Sequence, residues 1–355
     1  MITIILTYRN RKLNTVKNCL ESLANQLNSE FEVVLVDYGS ASKYESELIN
    51  VLNYYSFVTL MRCETGLQLW CKSRAINIAL KRIKTPYCFV GDIDMLYHPE
   101  FITILHKEAN HKTTTYFQVG FLSETETKTN KAFLDYEIAF KSQKEATGMT
   151  LYNTSLLKSI NGYDEFFNGW GSEDTDVHIR LQNAGHHVEF YTERVLMLHQ
   201  WHPKNYRTKN DVTPFHSSLE QINAAYLDLV ISTKKVIANT EYNWGVYNQD
   251  DYQKLNTIER NYTLTNKTGQ LSAFINCVLL VEKDKVVTLS IATHNAYKST
   301  KQKAKALLGK KSMTFDSMQV LNDTILECII SKFRNQAYRY QFNRDTNTIA
   351  LTIKL

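Results

Sequence analysis

Long apolar runs are missing from this 355-residue sequence, and so is a basic leader at its start. No stretch reaches the about 20 apolar residues that a membrane-spanning helix requires. Residues 2–6 are too few for a signal peptide and are instead predicted to form the first core strand. With 43% hydrophobic and 22% charged residues, the composition is typical of a soluble globular protein with one large domain and a smaller one.

Cysteine pairs with the spacing of a metal site are missing as well. The six cysteines lie at positions 19, 63, 71, 88, 277 and 328. Several have apolar neighbours, which favours reduced thiols in the core of a cytoplasmic protein.

The sequence also lacks a strong charge imbalance, since its net charge is only +5. No recognised motif or aromatic ladder accompanies the basic residues, so nucleic acid is not an expected partner. Residues 298–311 nevertheless contain six lysines, with alanine and leucine between them. This pattern predicts a basic amphipathic segment, which is either a solvated face or a peripheral contact with anionic headgroups at the inner face of a membrane.

The first two hundred residues alternate between strand-like and helix-like patterns. Strands are predicted at 2–6, 31–36 and 87–90, and helices at 13–26, 73–84, 153–160 and 174–184. Strand, helix and strand in this order predict parallel pairing with right-handed crossovers, and ligands then bind at the carboxyl ends of the strands. Asp37, Asp92 and Asp94 are expected at that edge of the sheet.

Two carboxylates follow the strand at 87–90, in Gly91-Asp92-Ile93-Asp94. Mg²⁺ and Mn²⁺ take carboxylate and phosphate oxygens together, so this pair is well placed to hold a cation and a nucleotide diphosphate. The alternatives are turn carboxylates without a ligand and the nucleophile pair of an aspartyl phosphatase. The phosphatase pattern expects the pair after the first strand with a following threonine, whereas Met95 follows here.

Residues 169–176, Gly-Trp-Gly-Ser-Glu-Asp-Thr-Asp, place an aromatic side chain beside three carboxylates in a glycine-containing turn. The glycines next to Trp170 let the backbone pass close to a ligand, and a sugar ring can stack on an exposed indole. Glu173 or Asp174 can then accept a hydrogen bond and a proton. The alternative is a buried Trp170 beside acidic residues that cap a helix beginning near Asp174.

Residues beyond about 210 show no catalytic cluster. Helices are predicted at 215–237 and 315–333, a hairpin at 274–281 and 286–292, and a last strand at 348–355. We therefore divide the chain into a catalytic domain at 1–240 and a small α+β domain at 241–355. Acceptor binding, oligomerisation, membrane contact or simple support are the candidate roles of the second domain.

Together these motifs resemble inverting glycosyltransferases of the GT-A fold, and most of all β-1,4-galactosyltransferases and bacterial chondroitin-polymerase-type enzymes. The matching marks are residues 7–11, Asp92-Ile93-Asp94, Asn161-Gly162-Tyr163 leading to residues 169–174, and His199. The resemblance covers about residues 1–210. It implies an α/β, Rossmann-like fold with a mostly parallel central sheet. It also implies metal-dependent transfer of a hexose or N-acetylhexosamine from a UDP-sugar to a saccharide hydroxyl.

The resemblance further implies a role for each matching residue. Donor binding is predicted for Thr7, Arg9, Asp37, Arg74, Asp92 and Gly148. Asp94 and His199 are predicted to bind Mn²⁺ or Mg²⁺, with His202 as a competitor of His199. Acceptor binding is predicted for Trp170, Gly171 and Glu173. Asp174 is the predicted general base, although Glu173 and Asp174 could exchange roles, and Asp176 is expected to face away as a solvated or capping charge.

The expected acceptor is a saccharide or lipid-linked saccharide in the synthesis of a bacterial surface polysaccharide or glycolipid. The alternatives are a non-catalytic sugar-nucleotide-binding protein and a scaffold of polysaccharide assembly. A binding protein would need Asp37, Asp92 and Asp94 but not residues 169–176, which we call the acidic turn. The presence of that turn favours an enzyme.

Overall fold

The computed structural model describes residues 1–203 and 214–355, which form two compact units. The first unit contains residues 1–64, 70–203 and 220–247 of the described chain, and the second contains residues 65–69, 214–219 and 248–355. The predicted division into two domains at residue 240 stays a proposal.

A seven-stranded sheet forms the centre of the first unit. Its strands are β1 (Ile2–Tyr8), β2 (Phe31–Tyr38), β3 (Val58–Cys63), β4 (Tyr87–Asp92), β6 (Thr113–Phe117), β9 (Thr150–Asn153) and β10 (His187–Tyr191). The strand order is β10-β6-β9-β4-β1-β2-β3, and only β9 runs antiparallel to its neighbours. The predicted α/β class with a mostly parallel sheet is confirmed.

A second, four-stranded sheet carries the segment that follows Asp92. Its strands are β5 (Met95–Tyr97), β7 (Val119–Leu122), β8 (Ile138–Lys141) and β11 (Met197–His199), in the order β5-β11-β7-β8. Strands β5 and β11 are antiparallel, with Met95 opposite His199. This pairing brings the end of β11 next to Asp94, which directly precedes β5.

Helices cover both faces of the central sheet. They are α1 (Leu13–Ala24), α2 (Ser42–Leu52), α3 (Lys72–Arg82), α4 (Phe101–Glu108), α6 (Thr154–Ser159) and α7 (Glu173–Asn183). The chain up to residue 232 also contains α5 (Glu124–Thr127), α8 (Leu219–Ser232) and a 3₁₀ turn at Phe133–Asp135. Successive strand residues point to opposite faces. Ile4 therefore packs with α1 and α2, whereas Ile5 packs with α3, α6 and α7.

The second unit is a small α+β fold. Strands β12 (Arg260–Thr265), β13 (Val286–Ala292), β14 (Tyr338–Asn343) and β15 (Thr348–Lys354) form a sheet in the order β12-β13-β15-β14. The helices are α9 (Gln249–Lys254), α10 (Gln270–Phe274), α11 (Thr300–Leu307) and α12 (Met318–Lys332), with a π-helical turn at Ile275–Leu279. Among the described helices, none combines the length and apolar character needed to cross a bilayer.

The predicted strand at 274–281 is wrong. Residues 270–279 are helical, and β13 pairs in parallel with β12 instead of forming a hairpin. A short apolar run cannot be assigned to strand or helix by periodicity alone, and this run has no strict alternation. The predicted core position is confirmed for the thiols of Cys19, Cys63, Cys71 and Cys88, which are buried, whereas Cys277 is exposed.

Candidate functional site

The carboxyl ends of β1, β2 and β4 lie side by side and carry three of the predicted donor-binding residues. In register, Thr7 pairs with Asp92, and Tyr8 pairs with Asp37. Asp37 is buried and accepts a hydrogen bond from the backbone N–H of Ser40 at 2.9 Å. Burial raises the pKa of Asp37, because the hydrogen bonds from Ser40 only partly compensate for the loss of water.

The other predicted donor-binding residues have different surroundings. Arg9 is half-buried directly after β1. Arg74 is buried in α3, and its Nη2 donates to the carbonyl oxygen of Val246 at 2.8 Å. A Cβ atom at Gly148 would lie 3.4 Å from Oδ2 of Asp174, so the backbone at this glycine passes close to the acidic turn. The donor-binding roles of these residues stay predictions.

Asp94, His199 and His202 form a group with the ligand types of a metal site. One ligand atom from each residue lies within 4.8 Å of the others. Nε2 of His202 is 3.2 Å from Oδ2 of Asp94, and Nε2 of His199 is 3.7 Å from Oδ1. The structure therefore brings both candidate histidines to the same carboxylate.

The charge around Asp94 stabilises its ionised form. Burial alone would raise the pKa of Asp94, but the His202 hydrogen bond and the basic side chains nearby outweigh it and hold this pKa well below its usual range. Arg11 is one of these side chains, since its Nη2 is 3.2 Å from Oδ2 of Asp94. Arg11 belongs to the motif at residues 7–11, which predicted no role for it.

These residues fit a divalent transition-metal ion. Oδ1 of Asp94 is buried and accepts no hydrogen bond from any described residue, so it keeps a lone pair for a ligand. Burial lowers the pKa of His199, which keeps its imidazole neutral and able to ligate. One carboxylate and two imidazoles suit Mn²⁺ better than Mg²⁺, which prefers oxygen ligands.

The acidic turn enters α7 through three residues with left-handed backbone. Gly169, Gly171 and Ser172 have φ values of +75°, +99° and +74°. Trp170, between the two glycines, is 50% exposed, which contradicts the alternative of a buried capping tryptophan. Glu173 and Asp174 occupy the first turn of α7, where the helix dipole favours negative charge.

Lys72, which none of the sequence motifs predicted, connects the two carboxylate clusters. Its Nζ lies 3.1 Å from Oδ2 of Asp174, 3.2 Å from Oδ1 of Asp92 and 3.9 Å from Oε1 of Glu173. Burial would lower the pKa of Lys72, but these three charges outweigh it and raise the pKa well above its usual value. One feature of the sequence could have indicated a special role for Lys72. This lysine lies in the first turn of α3, where the helix dipole disfavours a cation.

Asp176 does not face solvent, so its predicted position is wrong. Its side chain and that of Arg180 are both fully buried, and Oδ2 of Asp176 accepts a hydrogen bond from Nε of Arg180 at 2.8 Å. Arg180 also donates to the carbonyl oxygens of Ile160 at 3.0 Å and Gly162 at 2.7 Å. Arg180, held in place by Asp176, therefore anchors α7 to the segment before the acidic turn.

The Asn161-Gly162-Tyr163 segment is shaped by a buried asparagine of α3. Oδ1 of Asn77 accepts a hydrogen bond from the backbone N–H of Tyr163 at 2.9 Å, and its Nδ2 donates to Oε1 of Glu165 at 2.9 Å. Gly162 has a φ of +64°, and a Cβ atom there would collide with Oδ1 of Asn77. Hydrogen bonds and close packing therefore hold this motif against α3.

Glu173 is expected to make the stability of the protein depend on pH. Burial and the charge of Asp174 raise the pKa of Glu173 from 4.5 to about 7, although Lys72 acts in the opposite direction. The folded state thus holds this proton more tightly than the unfolded state, and ionisation of Glu173 destabilises the fold as the pH rises from 4.5 to about 7. The melting temperature of Glu173→Gln relative to wild type should therefore be higher at about pH 8 than at about pH 5.

The matched control for this prediction is Glu241→Gln, which removes an exposed carboxylate of the same unit. Its melting temperature relative to wild type should change little between the two pH values. An equal difference at both pH values for Glu173→Gln would contradict the buried, desolvated carboxylate described above.

The fold is of the GT-A type, which is the fold of nucleotide-diphospho-sugar transferases. The family model for glycosyl transferase family 2 matches residues 3–160, and the model described as the N-terminal domain of galactosyltransferase matches residues 127–202. Both matches confirm the resemblance predicted from the motifs and support a role in glycosyl transfer. No curated protein matches the sequence.

The chain is also similar to solved structures. A crystal structure of GalNAc-T7 with UDP, GalNAc and Mn²⁺ aligns at 14% identity and a TM-score of 0.50, over 65% of this chain and 48% of that chain. This chain therefore spans about half the length of that protein. A crystal structure of S. aureus TarS residues 1–349 aligns at 14% identity and a TM-score of 0.46, over 97% of this chain and 94% of that chain.

Proposed function

We propose that this chain is a metal-dependent inverting glycosyltransferase that moves a hexose or N-acetylhexosamine from a UDP-sugar to a saccharide hydroxyl. The observation that carries the proposal is the position of Lys72, which contacts both Asp92 and Asp174. Asp92 is two residues from the metal-binding candidate Asp94, and Asp174 belongs to the acidic turn beside the exposed Trp170. The ammonium group of Lys72 therefore lies between Asp92 on the proposed donor side and Asp174 on the proposed acceptor side.

Each residue has a distinct part in the proposed reaction. Thr7, Asp37 and Asp92 bind the donor at the edge of the sheet, and Trp170 and Glu173 hold the acceptor. Asp94, His199 and His202 would hold Mn²⁺, which neutralises the leaving diphosphate when it is bound. The positive charge of Arg11 lies beside the same carboxylate.

The chemical step is a single displacement at the anomeric carbon. The acceptor oxygen attacks this carbon from the face opposite the diphosphate, the bond from carbon to the diphosphate oxygen breaks, and UDP leaves with the bonding electrons. Asp174 takes the proton of the attacking hydroxyl. An α-linked donor therefore gives a β-linked product. We place the reaction in the synthesis of a bacterial surface polysaccharide or glycolipid, with a free or lipid-linked saccharide as acceptor.

Calorimetric titrations with UDP-glucose, UDP-galactose and their N-acetyl forms, each with and without Mn²⁺, test this proposal. One donor should bind more tightly with Mn²⁺, and Asp94→Asn or His202→Ala should weaken that metal-dependent gain roughly tenfold, because a ligand is lost. The exposed His187→Ala is the matched control and should behave like wild type.

Other outcomes distinguish the alternatives. Metal-dependent donor binding without transfer to any saccharide would indicate a sugar-nucleotide-binding protein. Equal affinity with and without Mn²⁺ would overturn the assigned metal group. Loss of the metal effect in Asp94→Asn but not in His199→Ala or His202→Ala would remove His199 and His202 from the site.

A further inference from the structure

Residues 285–315 carry a large excess of positive charge. They contain seven lysines and neither aspartate nor glutamate. The rest of the chain has two more acidic than basic residues, because the total is 41 basic and 36 acidic. The positive net charge of the protein therefore comes from this segment, which belongs to the second unit.

The lysine-rich part of this segment is a helix without a packed face. Helix α11 contains no buried residue, although its first turn is capped by the Ser299 side chain, which accepts a hydrogen bond from the backbone N–H of Gln302. Amphipathic surface helices of globular proteins normally bury an apolar stripe. Helix α11 is thus capped and formed, but it contributes little to the core of its unit.

The lysines around α11 are also without countercharges. Lys298, Lys301, Lys303, Lys305, Lys310 and Lys311 form no ion pair with any described residue. Lys285, at the start of the segment, differs because its Nζ lies 2.8 Å from Oε2 of Glu259. Six positive charges within residues 298–311 are therefore available to an external anionic partner.

Two large apolar side chains accompany these charges. Leu307 is 88% exposed and Leu308 is 69% exposed, at the end of α11. Gly309 follows them with a φ of +62°, which ends the helix. Lys310 and Lys311 come directly after it. Leucines flanked by lysines on both sides match the interface of an anionic bilayer, where apolar side chains enter the acyl boundary and lysines contact phosphates.

We propose that residues 298–311 dock the protein on an anionic lipid bilayer. The lysines contact the headgroup phosphates, and Leu307 and Leu308 insert at the boundary between headgroups and acyl chains. A soluble polyanion would use the lysines but has no apolar layer for the leucines, so the leucines favour the bilayer. This inference does not depend on the proposed transferase activity.

Co-sedimentation of the whole chain with vesicles tests the proposal. The protein should bind vesicles of phosphatidylcholine mixed with phosphatidylglycerol, should not bind pure phosphatidylcholine, and should dissociate as salt is added. Changing Lys301, Lys303 and Lys305 to glutamine should lower the partition coefficient roughly tenfold or more. The control changes Lys84, Lys107 and Lys112 to glutamine, because these lysines are exposed on the first unit, and it should bind like wild type.

A second variant separates a bilayer from a soluble polyanion. Changing Leu307 and Leu308 to serine should weaken binding to the mixed vesicles but leave binding to heparin unchanged. Vesicle binding that is unaffected by the leucine changes, or an equal loss in the control triple variant, would overturn the proposal. Circular dichroism and donor titration of each variant show that the fold and the transferase site are intact.

Discussion

Asp174→Asn should reduce the rate of sugar transfer by roughly a hundredfold or more while donor affinity stays nearly unchanged. Loss of a general base costs about two to four orders of magnitude, because the attacking hydroxyl must then keep its proton in the transition state. Asparagine has almost the same shape and still offers an oxygen to Lys72, which lies 3.1 Å from Oδ2 of Asp174. The measurement is kcat for transfer to the best acceptor of a saccharide panel, beside calorimetric donor affinity.

Glu173→Gln is the matched comparison, because it removes the adjacent carboxylate of the same turn. If Glu173 binds the acceptor, its loss should raise the acceptor KM more than it lowers kcat. A larger fall in kcat for Glu173→Gln than for Asp174→Asn would exchange the two roles. Full activity of Asp174→Asn would remove Asp174 from the chemical step.

Arg180→Met should destabilise the folded protein by about 3–5 kcal/mol. The substitution leaves the carboxylate of Asp176 buried without its partner, and it also removes the hydrogen bonds to the carbonyl oxygens of Ile160 and Gly162. Burial already raises the pKa of Asp176 to about 6 against the charge of Arg180. Urea unfolding followed by circular dichroism gives the change in the free energy of unfolding.

The double variant Asp176→Leu with Arg180→Met is the control for this prediction. It removes both buried charges together, so its loss of stability should be smaller than that of Arg180→Met alone. Equal losses in the single and double variants would show that the carbonyl hydrogen bonds, and not the ion pair, determine the effect. A loss below about 1 kcal/mol in Arg180→Met would contradict the buried pair.

The central sheet could be predicted from the sequence because its strands and helices alternate in short, strongly patterned blocks. Strands β1, β2 and β4 and helices α1 and α3 lie within a few residues of their predicted positions. That order also places Asp37 and Asp92 at one edge, since parallel strands end on the same side of a sheet. The run at 274–281 had no comparable pattern, and there the prediction failed.

The contacts of Lys72 and Asp176 could not be predicted in the same way. Lys72 meets Asp92 and Asp174 only because α3, β4 and α7 converge in space, and no local pattern encodes that convergence. Asp176 and Arg180 are four residues apart, a spacing that does indicate a side-chain pair on a helix. The spacing alone does not show that the pair is buried.

The Glu-Asp-Thr-Asp stretch at 173–176 combines two requirements that a sequence comparison cannot separate. On the proposed assignment, Glu173 and Asp174 are required for substrate binding and catalysis. Asp176 is required for the packing of its own helix, through its ion pair with Arg180. A homologue could therefore replace Asp176 and Arg180 together by apolar residues and keep the same chemistry. A search pattern that demanded all three acids would overlook such a homologue.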